Sequence, residues 1–369
     1  MKKVIGLVNL HSDIQFQNLT ENRPVASVNF LGRYGLIDFA LSNLSNSGID
    51  AVGVLIKEKP RSLFKHIGDG HSWNFNSKTG GVSLLYDEKY SRDVKYNHDV
   101  HNLIENIAFL EKTNSDIVVI APAHIITTLD YSEIIEIHRR NNADITMVYQ
   151  HIINADTSYL GNQVLQIKDD IVEAIDTNKG VKNECDISLE TYIINTRILL
   201  KLLIQAKRTS AFFSIKDTLA HVLDERKVYA YHHTSYARSF ESLKSYYKNS
   251  LELLNENMYS QIFCPEWPIY TITRDTPPTK YLKNSHVKKS FVANGAMING
   301  TVENSIIGRN VVIGKDTIVR NSIIFSDSKI ASGIKIENAI IDKSVTIEKQ
   351  QEIIGQSDNP VYIHEGDIV

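Results

Sequence analysis

Histidines and clustered cations are the residues of this 369-residue chain whose chemistry is most open at first sight. His98 and His101 stand one helical turn apart, and His232 and His233 are adjacent. Either pair could offer a metal two imidazoles, but no third and fourth ligand follows at a recognisable interval, so surface or core roles are expected and no metal centre. Lys57, Lys59, Arg61 and Lys65, with Glu58 as the only internal counter-charge, could hold phosphate; such a cluster equally suits the solvated entry to a helix. Val4 to Leu10 is an apolar run of strand length. In an α/β nucleotide-binding protein several glycines would follow it, yet none occurs from Leu7 to Leu19. The segment Asn9-Leu10-His11-Ser12-Asp13-Ile14-Gln15 instead carries side chains that obstruct close backbone approach, and Asp13 adds negative charge beside any polyanion.

The elements that must position these residues alternate. AVGVLI (51–56), DIVVIA (116–121) and DITMVY (144–149) read as strands, and helical patterns lie between them. Ile37, Ala40, Leu41 and Leu44 recur at helical spacing, with Gly48 where a left-handed C-terminal residue is wanted. This alternation predicts a mainly parallel sheet with helices on both faces, because a parallel pair requires a crossover.

Beyond residue 290 the pattern changes. Val302, Ile307, Ile313, Val319, Ile324, Ile330, Ile336, Ile341 and Ile347 are separated by 5, 6, 6, 5, 6, 6, 5 and 6 residues. Three such steps make a 17-residue coil, the repeat of a three-sided parallel β-helix in which each aliphatic stacks on its equivalent one coil away. A glycine or a polar residue often follows the aliphatic, as in Ile307-Gly308 and Ile313-Gly314, and is expected to let the chain turn the corner. Four of the eight prolines fall within CPEWPIYTITRDTPPTKYL (264–282), which reads as extended chain. The expected organisation is an α/β unit over 1–255, a linker over 256–289 and a β-helix over 290–369.

Composition narrows the function classes. A net charge of -3 offers no broad positive field for nucleic acid or an anionic membrane. Cys185 and Cys264 have no zinc or redox spacing, which fits a reduced cytoplasmic protein. No apolar stretch approaches the roughly 18 residues of a spanning helix. The basic start, Met1-Lys2-Lys3, leads into an apolar run that ends at Leu10, so a core strand is expected there and not a signal peptide. The aliphatic repeat could also belong to an acyltransferase, but those enzymes commonly place a histidine between coils, and none occurs from Lys288 to Asn359.

Three stretches carry a family resemblance: GRYGLIDFALSNLSNSGI (32–49), RSLFKHIGDGHSWNF (61–75) and WPIYTITRDTPPTKYL (267–282). The chain resembles bacterial glucose-1-phosphate adenylyltransferase, and most closely its paralogous, catalytically poor D subunit. The resemblance implies a Rossmann-like nucleotidyltransferase domain with a mainly parallel mixed sheet, followed by a left-handed parallel β-helix. It further implies in-line attack of glucose-1-phosphate on the α-phosphorus of ATP, with magnesium held by two aspartates. This sequence departs from that pattern at each provision. The glycine-rich loop is absent, the first metal aspartate aligns with Ala123 in Pro122-Ala123-His124, and the second aligns with Ser239. The E-K-P segment aligns with Asp176-Thr177-Asn178, near Lys179. The S-M-G segment under the sugar reads Ser188-Leu189-Glu190, so a carboxylate is expected in the sugar pocket.

What the resemblance then implies is a noncatalytic or weakly catalytic regulatory subunit in glycogen synthesis, without a magnesium site of its own. It would be paired with a catalytic homologue in a cytoplasmic hetero-oligomer, tetramers being the family habit. Arg33 matches the basic position of a segment linked to a phosphorylated effector, although Gly35 replaces its second cation; Arg61 and Lys65 are companion candidates. His124, Lys179 and Glu190 would mark a vestigial sugar-phosphate pocket. Two other readings stay open: an active enzyme with ligands relocated to Glu241, Asp217 or Asp176, and a stand-alone sugar-phosphate sensor.

Overall fold

The strand expected from Val4 lies inside a nine-stranded sheet in the computed structural model of the chain, which describes residues 3–75, 80–87, 97–209 and 214–369. The chain divides into two units, Met1–Asp13 with Ile37–Ser239 and Glu266–Tyr270, and Ile14–Leu36 with Phe240–Pro265 and Thr271–Val369.

The first unit contains strands β1 (Val4–Asn9), β2 (Ala51–Ile56), β3 (Gly81–Tyr86), β4 (Ile117–Pro122), β5 (Ile125–Thr127), β6 (Ile145–Ile152), β7 (Gln163–Lys168), β8 (Ile171–Thr177), β9 (Cys185–Asn195), β10 (Val228–His232) and β11 (Ala237–Ser239). The main sheet runs β3-β2-β1-β4-β9-β6-β10-β8-β7. Its first four strands are parallel, as the alternating pattern requires; β9 is antiparallel to both neighbours, which makes the sheet mixed. A separate antiparallel pair, β5 with β11, sets Ser239 opposite Ile125.

Helices cover both faces because alternate residues of each strand point opposite ways. Leu44 of α1 (Ile37–Asn46) lies directly on Gly6 of β1, where an added Cβ would come within 2.7 Å of it. Ile5 and Leu7 point the other way and join a buried cluster with Leu199, Leu202, Leu203 and Ala206 of the helix Thr196–Thr209. Gly48 takes φ +71°, and Ile49 N–H reaches back to the Leu44 carbonyl, the helix stop read from the sequence.

The second unit carries the left-handed parallel β-helix, three five-stranded parallel sheets. Val302, Val319, Ile336 and Ile353 form one buried column, and Ile313, Ile330 and Ile347 another. The 17-residue period is therefore the physical repeat. At the glycines the corners differ from the expectation. Positive φ is taken by Asn304, Asn310, Asp316, Asn321, Asp327, Asn338 and Ser344, polar residues whose short side chains tolerate the left-handed region, and by Gly333, but not by Gly308 or Gly314. Those two glycines answer a close approach instead: a Cβ at Gly308 would meet Ser326 N at 2.6 Å, and one at Gly314 would meet Ala331 C at 2.5 Å. Asn304 also donates to Asn321 Oδ1 one coil away at 2.7 Å, so the corners are stitched as well as turned.

The ladder starts earlier than residue 290. Lys280–Tyr281 pairs with Met297–Ile298, inside the stretch read as a linker. Two segments that begin in the expected α/β unit, Ile14–Leu36 and Phe240–Pro265, also belong with the β-helix. Arg23 explains part of this. Its guanidinium donates to both oxygens of Asp342, at 3.0 and 2.8 Å, and to Glu365 at 2.6 Å, while Tyr362 OH donates to Asp342 at 2.6 Å. Asp342 is fully buried, so the carboxylate is tolerable only with this partner. Replacing Arg23→Leu should lower the stability of this unit by about 3–5 kcal/mol, read as a lower urea midpoint; the double variant with Asp342→Leu should recover most of it.

Candidate functional site

The carboxyl ends of β1 and β4 open onto the crevice where ligands of parallel α/β sheets bind. After β1, no backbone donor at Leu10 or His11 is left for a ligand. Leu10 N–H donates to the Leu55 carbonyl at 3.1 Å, and His11 N–H donates to Asn9 Oδ1 at 3.0 Å. The Asn9 amide in turn donates to Asp99 Oδ2 at 2.7 Å, and Asp99 Oδ1 accepts from the N–H groups of Val100 and Ile215, at 2.8 and 3.1 Å. The segment that should cradle a polyanion is thus anchored to a buried carboxyl. Burial pushes Asp99 up to about 6 despite these donors.

After β4 come Ala123 and His124, both buried. The β5–β11 pairing sets buried Ser239 opposite Ile125, two residues from Ala123, so the two positions that align with metal aspartates are brought to one place. Their donor set is a methyl group and a neutral hydroxyl. A hard divalent cation requires anionic oxygens, so these residues do not fit magnesium. Among the described residues there is also no group of three or more His, Cys, Asp or Glu able to hold a metal.

Glu190 lies in a bulge of β9, where the pairing register with β6 shifts between Ser188 and Thr191. It has φ +50°, a conformation that glycine adopts freely and glutamate only against steric resistance. Its side chain is buried, with one oxygen in contact with Lys216 Nζ and the other 3.7 Å from His124 Nε2, a charge contact too long for a hydrogen bond. Burial alone would raise this carboxyl, but His124 and Lys216 outweigh it and hold it at about 2. The three side chains form an internal charge cluster.

The other sequence candidates separate. Lys179 is exposed, while Asn178 beside it is buried and donates to the carbonyls of Ala155, Ser158 and Tyr159, at 2.8–3.0 Å, a loop-closing role. Asp176 accepts from Gln166 at 2.8 Å and Asp217 from the Ser214 hydroxyl at 2.7 Å, so both proposed stand-in ligands serve local structure. Glu241 belongs to the second unit, where its N–H donates to Ser245 Oγ. Arg61 and Lys65 are exposed on the helix Pro60–Ile67. His98 caps a helix by accepting from His101 N–H, His101 meets Asp87 at 2.8 Å, His233 bonds Thr127 at 2.9 Å, and His232 stacks on Tyr149. Among the described residues none of these histidines belongs to a group of three or more metal-type ligands.

Arg33 is in the second unit and lines a cavity of about 290 Å³ together with Arg274, Arg309, Tyr34, Tyr259 and Asn294. Sequence reasoning found Arg33 through its motif but missed Arg274 and Arg309, which fold brings to it. Lys216, Asp99 and Asn9 were missed as well; the spacing of Asn9 and Asp99 in the chain carries no local signal.

A nucleotidyl transferase family profile matches residues 14–252, and a GlmU-like C-terminal hexapeptide profile matches residues 277–360. The chain is 33% identical over 295 residues to a glucose-1-phosphate adenylyltransferase of Clostridium acetobutylicum, covering 78% of this chain and 77% of that one. It is 30% identical to the glycogen biosynthesis protein GlgD of Bacillus subtilis, over 80% and 76% of the two chains, and 31% to that of Geobacillus stearothermophilus, over 84% and 80%. The chain belongs to the glucose-1-phosphate adenylyltransferase family. Within that family, Glu190 is the residue of the crevice most open to a direct test. Its carboxyl lies below its ordinary value of 4.5, so the stability it contributes is present above pH 4.5 and is lost as pH falls toward about 2. Urea midpoints measured across acid pH should show this decline, and Glu190→Gln should flatten it while lowering stability at neutral pH by about 3 kcal/mol. Asp99 has the opposite sign: raised from 3.8, it stabilises below that value and ceases to as pH rises through about 6, so its ¹³C carboxyl resonance should titrate near 6.

Proposed function

We propose that this member of the family is a noncatalytic or weakly catalytic regulatory subunit of glucose-1-phosphate adenylyltransferase, acting in cytoplasmic glycogen synthesis through a catalytic homologue. The observation that carries this reading is that Ala123 and Ser239, drawn near one another by the β5–β11 pairing, carry no anionic oxygen of their own. Without metal-assisted charge neutralisation, in-line attack on the α-phosphorus loses its principal electrostatic aid; losing one such preorganised contact costs about 3 kcal/mol of transition-state stabilisation. The bound donors after β1 and the Lys216–Glu190 pair in the sugar position act in the same direction. Similarity to two proteins named for glycogen biosynthesis supports the pathway.

The retained chemistry suits regulation. The cavity of Arg33, Arg274 and Arg309 offers guanidinium forks that match a phosphorylated metabolite bidentately. The hetero-oligomer, a tetramer by family habit, is the body through which such an effector would change the catalytic partner.

Mixing tests the proposal. The purified chain should co-elute with a catalytic homologue and change its velocity or effector response by about threefold or more, roughly 0.7 kcal/mol of coupling. Turnover by the chain alone within about tenfold of the usual enzyme would establish the active reading with relocated ligands. An unchanged velocity without co-elution would establish the stand-alone sensor.

A further inference from the structure

His11 is a second unusual feature of the crevice, and none of the steps above uses it. Both of its ring nitrogens are shielded from solvent and have no hydrogen-bond partner among the described residues. An imidazole always carries at least one N–H, and leaving it unpaired in the interior costs about 1–3 kcal/mol, so a buried orphan of this kind calls for a ligand. The surroundings state the sign of that ligand. Lys57 and His98 face the ring, and together with burial they push His11 down to about 3; Asp13 is the one acidic group opposing them. Asp99, on the same side, is engaged with Asn9, Val100 and Ile215.

Asp13 is nearly fully exposed, and its carboxylate contacts the Lys57 ammonium, which is three-quarters covered. An exposed carboxylate on a largely enclosed cation behaves as an internal substitute for a free anion. Lys57 directly follows β2 and His11 follows β1, so two adjacent parallel strands deliver the two donors to the ligand-binding edge of the sheet.

We propose that His11 and Lys57 form a subsite for a small tetrahedral oxyanion of the inorganic phosphate type, which displaces Asp13 from Lys57 and accepts the His11 N–H. The neutral imidazole donates one N–H, and Lys57 supplies the charge. The site is too dependent on side chains to replace a glycine loop, and it takes a single oxyanion, not a nucleotide. This inference stands independently of the regulatory proposal, since either can fail alone.

The test is a phosphate titration of the full chain, labelled at histidine and held at constant ionic strength, with the His11 ring resonances assigned by His11→Gln. Saturable shifts of those resonances at about millimolar phosphate are expected, together with an upward displacement of the His11 titration midpoint. Lys57→Gln should weaken binding about tenfold and Asp13→Asn should tighten it about threefold. Backbone spectra of each variant report folding separately. Resonances unmoved at saturating phosphate would overturn the proposal, as would equal binding by the folded His11→Gln chain, which would place the anion elsewhere. ATP shifting His11 at far lower concentration than phosphate would also overturn it, because the site would then be a nucleotide site.

Discussion

A carboxylate held in the interior by one ammonium and one imidazole constrains everything the first unit can accept. Glu190 could be ionised at that depth only with Lys216 and His124 against it, and its left-handed backbone is tolerable only because the bulge of β9 is fixed by pairing on both sides. Removing one partner exposes the desolvation cost of the other, so the cluster changes as a group or not at all. A ligand bearing a phosphoryl group would have to compete with Glu190 for Lys216, and it would meet a negative charge while doing so.

The same logic recurs elsewhere in the chain. Polar groups that could have faced ligands are satisfied internally: the Leu10 and His11 amides, the Asn178 amide, the Arg23 fork. In a working transferase, donors are left open toward the position where charge develops. Here burial and pairing stabilise the fold at those positions. The Arg33 cavity is different in kind, since three arginines line an open volume of about 290 Å³, although Arg309 also donates to the Ile272 carbonyl at 3.3 Å.

Legibility in the sequence followed the range of the interaction. The β-helix was readable because its coils repeat locally: one aliphatic per side at a five- or six-residue step fixes the columns Val302–Ile353 and Ile313–Ile347. The glycine corners were misassigned, since glycine signals both close approach and positive φ, and only the backbone tells them apart at Gly308 and Asn310. The unit boundaries were less legible again. Whether residues 14–36 pack on the sheet or on the β-helix depends on contacts such as Arg23 with Asp342, 319 positions away. At the site, Ala123, Ser239 and Glu190 could be found by alignment to a motif, whereas Lys216 and Asp99 matter only through tertiary contacts that leave no periodic trace.

The central claim is that the crevice of Ala123 and Ser239 cannot ligate a divalent cation, and one crystal tests it. Crystals of the isolated chain grown with ATP and manganese should show no anomalous manganese peak beside these residues. A manganese ion coordinated there by carboxylate oxygens of this chain would contradict the account and return the protein to the ranks of working transferases.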